Sequence, residues 1–337
     1  MQMRAPGTWQ SPSTHFEEAL GSGWYRTIFD LFDVVSRGTT TFMHSRGLKA
    51  GLFPITTSSI SSPLGLGSDS LPVEIDLFGV NTFLADSMQF MLEYGCRFSD
   101  AGCYYVMPSF RGEATDARHL AQFYHSEAEI PGGFPQVVAL VEDYLGSLVQ
   151  QILTELGGVL GQTQSLDHLT TFANRVGPLP QITLDGAVRL LREVEGAVRA
   201  DELGFRTITS AGERELIRHH GGPVWLTELD HLSVPFYQAY ADDTMRSARC
   251  GDLLMGIGET VGAGERHAGV EDLLKALNQH GVDRAPYEWY ARMRELTPLQ
   301  TSGFGLGIER FLCWVLDHDD VRDIQIVPRS NGVVIIP

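Results

Sequence analysis

The sequence predicts an α+β fold, antiparallel strands in a sheet flanked by helices, and three observations carry that expectation. Cys103–Phe110 and Arg118–His125 read as two strands around the polar turn Arg111–Ala117, an antiparallel hairpin. Gln136 to Leu156 reads as an amphipathic helix, with Val137, Leu140, Val141, Tyr144, Leu145, Leu148 and Ile152 on one side. The run Ser302–Arg310 sets Gly303, Gly305 and Gly307 on alternate positions of a strand that turns at once into the apolar helix Phe311–Leu316.

Taken in order, residues 1–23 are polar with Pro6, Pro12, Gly21 and Gly23, and are expected to form an N-terminal arm on the body or partly disordered. Tyr25 to Met43 repeats Ile28, Leu31, Phe32, Val35 and Phe42 at helical spacing, a long helix with one buried stripe. Residues 47–54 read as a turn and a short edge strand. Thr56 to Ser70, rich in Ser and Gly, is either a plain surface loop or a lid. Val73–Gly79 and Asn81–Ala85 read as strands, with Asp86 or Ser87 capping a helix from Met88 to Gly95. Further on, Pro180–Asp185 reads as a strand end opening a helix through Val198, and Pro223–Thr227 as a strand. Asp252–Val261 reads as two strands about a glycine turn.

Composition narrows the function classes. The 337 residues are 43% hydrophobic and 20% charged, enough for a sizeable core in one large domain or two modest ones. A formal charge of −17 without a basic cluster disfavours nucleic acid as a partner. Cys96, Cys103, Cys250 and Cys313 lack CxxC spacing, and they read as buried thiols of a reducing, cytoplasmic compartment. No apolar run has the length of a signal peptide or a membrane span.

Three local patterns point to chemistry. A bare glycine strand suits something lying flat on it, and Arg310 in a first helical turn is unfavourable unless an anion faces it. The readings are a bound phosphate or a solvated surface arginine; the spacing does not fit a dinucleotide fingerprint. On the returning strand, His119 and Phe123 fall on one face about 13 Å apart, near the reach of a nucleotide from phosphate to base. Arg111 and Glu113 in the turn read otherwise as a surface pair. Asp252 and Glu259 would face opposite ways in one strand, but a reversal at Gly256–Gly258 brings the carboxylates together, and a divalent cation such as Mg²⁺ is their natural partner.

Taken together, FRGE…RHLAQF (Phe110–Phe123), DLLMGIGE…GAGER (Asp252–Arg266) and GFGLGIER…VRDIQIVPR (Gly303–Arg329) resemble the class II aminoacyl-tRNA synthetases. The similarity is nearest the asparaginyl and aspartyl branch, with YEWYARMRELTPLQTSGFGLGIERFLCW, GGPVWLTEL…VPFYQAY and PQITLDGAVRLL following its pattern. It covers residues 24–337, which it implies are one catalytic domain on a class II antiparallel sheet, working with ATP and Mg²⁺ as a homodimer. The resemblance implies that Arg111 grips the α-phosphate and substrate carboxylate. It gives Glu113 the adenine side, Arg118 and His119 the outer phosphates, and Phe123 the base. It also implies that Arg310 meets the γ-phosphate, that Asp252 and Glu259 hold Mg²⁺, and that Ser87, Gln89 and Arg266 line the amino-acid pocket. The dimer interface is expected at the Tyr25 helix and the strand ending at Pro54.

Departures from the pattern shape the functional expectation. Only some two dozen residues precede the core, so the family's N-terminal anticodon-binding domain is expected to be missing. Ser58, Ser59, Ser61 and Ser62 stand where an acid usually meets the substrate ammonium, Leu92 replaces the lysine of aspartyl enzymes, and Glu265 and His267 are unusual neighbours of Arg266. The hairpin turn is also one residue short. The Ser-Pro-containing loop and the Asp86–Ser87–Met88 run look more like stand-alone paralogues that make asparagine by adenylating aspartate. The expectation is therefore an ATP-dependent ligase that adenylates an aspartate- or asparagine-like amino acid and transfers the acyl group to ammonia or a small amine, without tRNA. The alternatives are a truncated enzyme charging a tRNA or carrier protein, and a non-catalytic paralogue; the second is weakened because every expected ATP and metal residue is present.

Overall fold

The computed structural model describes residues 4–61, 66 and 70–336. The chain begins with α1 (His15–Gly21) and α2 (Gly23–Ser45), then β1 (Lys49–Ala50), β2 (Thr56–Thr57), β3 (Val73–Leu77), β4 (Val80–Leu84) and α3 (Gln89–Gly95). The hairpin strands β5 (Cys103–Phe110) and β6 (Gln122–Pro131) lead into α4 (Phe134–Leu160) and α5 (Asp167–Ala173). Next come β7 (Gln181–Thr183), α6 (Leu184–Leu190), β8 (Val198–Ala200), β9 (Arg206–Ile208), α7 (Ser210–His220) and β10 (Val224–Thr227). The last part holds β11 (Cys250–Met255), β12 (Gly258–Glu265), α8 (Val270–Gln279), α9 (Glu288–Leu296), β13 (Thr301–Gly307) and α10 (Ile308–Val315).

The predicted antiparallel sheet is present, eight strands in the order β1-β5-β6-β13-β12-β11-β10-β7, with parallel pairs only at its two edges. Strand alternation gives it two unlike faces. Phe304, Leu306, Val261 and Ala263 point to one side and join the apolar residues of α2, α4 and α10 in the main core. The helix α4 is fixed at its start by Gln136, whose Oε1 accepts from Gly133 N at 3.0 Å, and by Pro135 in its first turn. On the other side, α6 and α7 cover one end of the sheet through Leu184, Leu216, Leu226 and Leu254, and α8 and α9 form a second cluster with Phe90 and Phe236. The stretch between these two clusters is floored by Gly262, Gly264, Gly303, Gly305 and Gly307.

Several boundaries differ from expectation for identifiable reasons. The return limb of the hairpin enters the ladder only at Gln122. Asp116 Oδ1 accepts from the backbone N–H groups of Arg118 (2.7 Å) and His119 (2.9 Å), a tight turn that holds residues 117–121 out of the strand. His119 and Phe123 therefore do not share a strand face. The helix expected through Val198 stops at Leu190, and after a run of turns Gly196, in the left-handed region (φ 69°), leads the chain into the β8–β9 hairpin.

The stripe of α2 is covered within the chain by α4 and the C-terminal segment rather than left for a partner. The arm packs on the body, Gly7 N donating to Asp323 Oδ1 (3.2 Å) and the His15 ring bonding the Ile326 carbonyl (2.6 Å). All four cysteines are buried and free. Of the loop serines, Ser59 and Ser61 are buried and pinned, Ser59 Oγ to the Pro286 carbonyl (2.6 Å) and Ser61 Oγ to that of Ser87 (2.7 Å), while Ser62 lies outside the described residues. Among the described residues no helix is long and apolar enough to cross a membrane.

Candidate active site

The glycine floor is opposed by charged side chains that the register puts directly alongside. Gly307, Gly305 and Gly303 pair with His125, Glu127 and Glu129, so these three polar side chains of β6 rise on the floor's face. What lies over two of the glycines is protein: a Cβ at Gly303 would overlap the Glu129 carboxylate, and one at Gly305 would sit 3.2 Å from Glu127 Oε1. At these two positions the something expected over the bare strand is therefore a protein carboxylate.

Gly307 stays open beside Arg310, at the start of α10, and there a cleft is lined by Arg111, Arg118, His119, Phe123, Glu259 and Arg310 together with His125, Glu309 and Gly262. A larger cavity of about 610 Å³ lies along α4, bounded by residues 175–181, on the sheet's other side. It gathers fewer charged groups, Glu142, Asp143 and Arg175, whereas three arginines and two carboxylates, Glu259 and Glu309, converge in the cleft.

The three guanidiniums are held in different ways. Arg111 Nε donates to Asp86 Oδ1 at 2.8 Å, and its charge lies over the Phe123 ring at 5.2 Å. Burial works against that charge, but Asp86 and Glu113 outweigh it and raise the pKa above the usual arginine value. Arg310 Nη1 donates to the Glu259 carbonyl (2.6 Å), and its other nitrogens to the Arg118 carbonyl (3.3 and 3.4 Å). Burial lowers its pKa, Glu259 opposes that, and the nearby Arg111 and Arg118 add to it. An anion in the cleft relieves this crowding of cations.

A bulge brings the acidic pair together. Leu253 pairs with Val261 and Leu254 with Glu259, leaving Thr260 extra, so Glu259 is turned onto the face of Asp252. A Cβ at Gly262 would lie 3.3 Å from Glu259 Oε1 and 3.8 Å from Asp252 Oδ1, so both carboxylates border one small space. Burial, then Glu259 and Glu213, push the Asp252 carboxyl well above the usual range, the behaviour of acids that lack a counter-cation. Among the described residues no three or more His, Cys, Asp or Glu side chains converge to hold a metal by themselves. The pair suits Mg²⁺ taking its remaining ligands from phosphate oxygens and water.

Other expected residues lie off the cleft. Ser87 Oγ donates to Glu127 Oε2 (2.7 Å), and Gln89 Nε2 to Glu93 Oε1 (2.9 Å). Glu113 accepts from Ser70 Oγ (3.0 Å) and Leu71 N (3.1 Å) and does not line the cleft. Arg266 is 4% exposed, with Nη2 to Glu129 Oε2 at 3.1 Å and Nη1 to Gln238 Oε1 at 2.9 Å. It is a closed pair rather than an open cation. Burial pushes the Glu129 carboxyl up to about 7 even though Arg266 opposes it.

The residues missed from sequence are His125, Glu127, Glu129, Glu309 and Glu213. The first three carried a signal, the alternation of His and Glu through a strand of a buried sheet. Glu127 outweighs burial and raises the His125 pKa, and Glu309 joins β6 to the C-terminal segment through Tyr124 N (3.1 Å) and Gln325 Nε2 (2.7 Å).

Known proteins are similar to this chain over most of its length. The family model of class II tRNA synthetases (D, K and N) matches residues 22–331. An asparagine-tRNA ligase of Thermococcus gammatolerans is 31% identical over 266 residues, covering 76% of this chain and 59% of its own length. One of Xanthomonas euvesicatoria is 30% identical over 315 residues, covering 86% and 67%. Among solved structures, asparaginyl-tRNA synthetase of Pyrococcus horikoshii complexed with asparaginyl-adenylate superposes with a TM-score of 0.85 at 23% identity, over 98% of this chain and 75% of the other. The chain thus spans about three fifths of the length of the Thermococcus relative.

Proposed function

Because the chain belongs to the class II tRNA synthetases of the aspartate, lysine and asparagine branch, we propose that its cleft adenylates the carboxylate of an aspartate- or asparagine-like amino acid and that the acyl group then passes to ammonia or a small amine. The observation that carries this reading is the convergence of Arg111, Arg118 and Arg310 on one cleft, beside Phe123 and the Asp252–Glu259 pair.

A substrate carboxylate oxygen attacks the α-phosphorus of ATP and pyrophosphate leaves. The amine nitrogen then attacks the acyl carbon, AMP leaves with the bonding electrons, and the nitrogen loses a proton. Arg111 stands where the first attack places negative charge, and Arg310 and Arg118 face the leaving phosphates. Such positioned cations supply the largest part of catalysis in phosphoryl chemistry. Asp252 and Glu259 would hold Mg²⁺, which supplies charge neutralisation at the phosphates.

Residues 24–337 act in this reading as one catalytic domain. The amino acid lies between Ser87, Gln89 and the Arg266–Glu129 pair. With Arg266 already matched by Glu129, an uncharged carboxamide fits the pocket as it stands, and an aspartate side chain fits once Glu129 is protonated.

The second reading, aminoacylation of tRNA, is favoured by the names of the relatives. Against it stands the net charge of −17, which offers little to a polyanion. A homodimer belongs to either reading; the exposed Phe29 of α2 and Leu52 beside edge strand β1 are its expected contacts. Light scattering at micromolar concentration should give twice the chain mass.

The deciding experiment measures pyrophosphate release across the amino acids, with ammonia, hydroxylamine or total tRNA added. Amide or hydroxamate product with no response to tRNA supports the proposal. Stable aminoacyl-tRNA with no amide product reverses it. Arg310→Ala and Arg111→Ala should each lower release by about a hundredfold or more.

A further inference from the structure

Arg118 is held at the mouth of the cleft by a helix nearly a hundred residues further along the chain. Its Nη2 donates to Glu213 Oε2 at 2.6 Å and its Nη1 to Ser210 Oγ, both on the first turns of α7. The Arg118 and Glu213 side chains are 19% and 13% exposed, so water competes weakly for the pair.

The local sequence puts Glu213 there. Thr209 accepts from Gly212 N with its side chain (3.4 Å) and from Glu213 N with its carbonyl (2.8 Å), which starts the helix. Gly212 lets that first turn lie against the Ala197 carbonyl, where a Cβ would clash, and Leu216 buries the same helix in the cluster over β10 and β11. Opposite, Gly258 at φ 133° leaves the space that Glu213 and Arg118 fill; any Cβ there would overlap both.

We propose that Glu213 is a positioning residue of the nucleotide site, acting through Arg118 to keep its guanidinium aimed at the outer phosphates. The proposal rests on the reading of the cleft as a nucleotide site. Arg118 needs such a holder for two reasons. It stands on residues 117–121, outside the strand ladder, so its own backbone does not fix the side chain. It also shares the cleft with Arg111 and Arg310, whose repulsion drives an untethered guanidinium toward solvent. The hold extends further, because the Arg118 carbonyl accepts from Arg310. Glu213, Arg118 and Arg310 thus form one chain of contacts along the cleft. Glu213 uses one oxygen on Arg118, so the guanidinium keeps donors for phosphate while it is held.

The test is calorimetric titration of Mg-ATP into the full chain and into Glu213→Ala, Glu213→Gln, Arg118→Ala and the Arg118→Ala/Glu213→Ala double variant. Glu213→Ala should weaken ATP binding about tenfold or more. Glu213→Gln should recover part of the loss, since its amide oxygen still accepts from Nη2. The double variant should bind no worse than Arg118→Ala alone, and the Michaelis constant of the amino acid should stay within about twofold, because a merely structural lesion would move both substrates.

Wild-type affinity in Glu213→Ala overturns the inference and leaves the nucleotide site standing, as does a double-variant loss equal to the sum of the single ones. If the unaltered chain binds no ATP, the reading of the cleft fails and the inference with it. Should Glu213→Ala not fold, the isosteric Glu213→Gln against Arg118→Ala carries the same comparison.

Discussion

The two faces of β13 are made by the same seven residues and do opposite work. Phe304 and Leu306 are 3% and 0% exposed and pack into the core under α4, Phe304 with its ring 5.8 Å from that of Tyr144. Gly303, Gly305 and Gly307, one position away, present only backbone, and charged groups from β6 and α10 occupy the space. One face gains stability by filling volume; the other leaves volume unfilled by its own strand so that polar groups can converge. Alternation makes the separation sharp, because a strand cannot exchange one face for the other without slipping by a residue.

The largest effect expected from this comparison is on stability. Phe304→Ala removes a ring from a packed interior and should lower the unfolding free energy by about 3 to 5 kcal/mol in urea denaturation. A loss under about 1 kcal/mol would erase the distinction between the faces. Gly303→Ala is the matching change on the other side. Its new methyl would overlap the Glu129 carboxylate and lie 2.6 Å from the Ala128 carbonyl, a backbone atom that cannot swing aside. Displacing the Arg266–Glu129 pair should cost about a hundredfold in amino-acid-dependent pyrophosphate release. Gly305→Ala meets Glu127 Oε1 at 3.2 Å, which asks that carboxylate to give by only a few tenths of an ångström, and should cost about tenfold or less. Equal losses in the two glycine variants would mean that the floor serves backbone flexibility rather than the placement of carboxylates.

The apolar face was largely legible in the sequence, and the polar face only in part. Val137 through Ile152 announced α4 because helical spacing is a local signal, and the Gly303–Arg310 run announced β13 and α10 for the same reason. Arg111, Arg118, Phe123, Glu259 and Arg310, named from the sequence, line one cleft. The Thr260 bulge was not visible, since a bulge is defined by the partner strand, and it rather than the hairpin alone aims Glu259. Glu213 lies 95 residues from the arginine it holds. Arg266 was read as an open cation because nothing in its neighbourhood of the chain shows that Glu129, far away in sequence, already pairs with it.

The smallest expected effect is that of acid, and it separates the two faces again. Beside Arg266 on the polar side, His231, His267 and His280 are buried together; His231 Nδ1 lies 3.0 Å from His280 Nε2, and the His231 and His267 rings are 5.9 Å apart. Burial lowers the His231 pKa to about 4 and that of His267 to about 3, so the folded chain keeps both rings neutral where the unfolded chain charges them near 6.5. The sign follows from proton counts: below pH 6.5 the unfolded state binds more protons, so stability falls with pH down to about 4 and 3. Glu129 acts the other way. Its pKa is raised from 4.5 to about 7, so its contribution is complete below pH 4.5 and is lost as the pH rises through 7. Around Arg266 the two histidines oppose one carboxylate between pH 6.5 and 4.5, so this part of the polar side is expected to loosen on acidification. Hydrogen exchange resolves where it acts. Amides of residues 236–240 and 265–267, which surround the histidines, should lose protection between pH 7 and 5, once corrected for intrinsic exchange, while those of α4 keep theirs. Loss in α4 first would place the acid-sensitive element in the apolar core and sink this assignment.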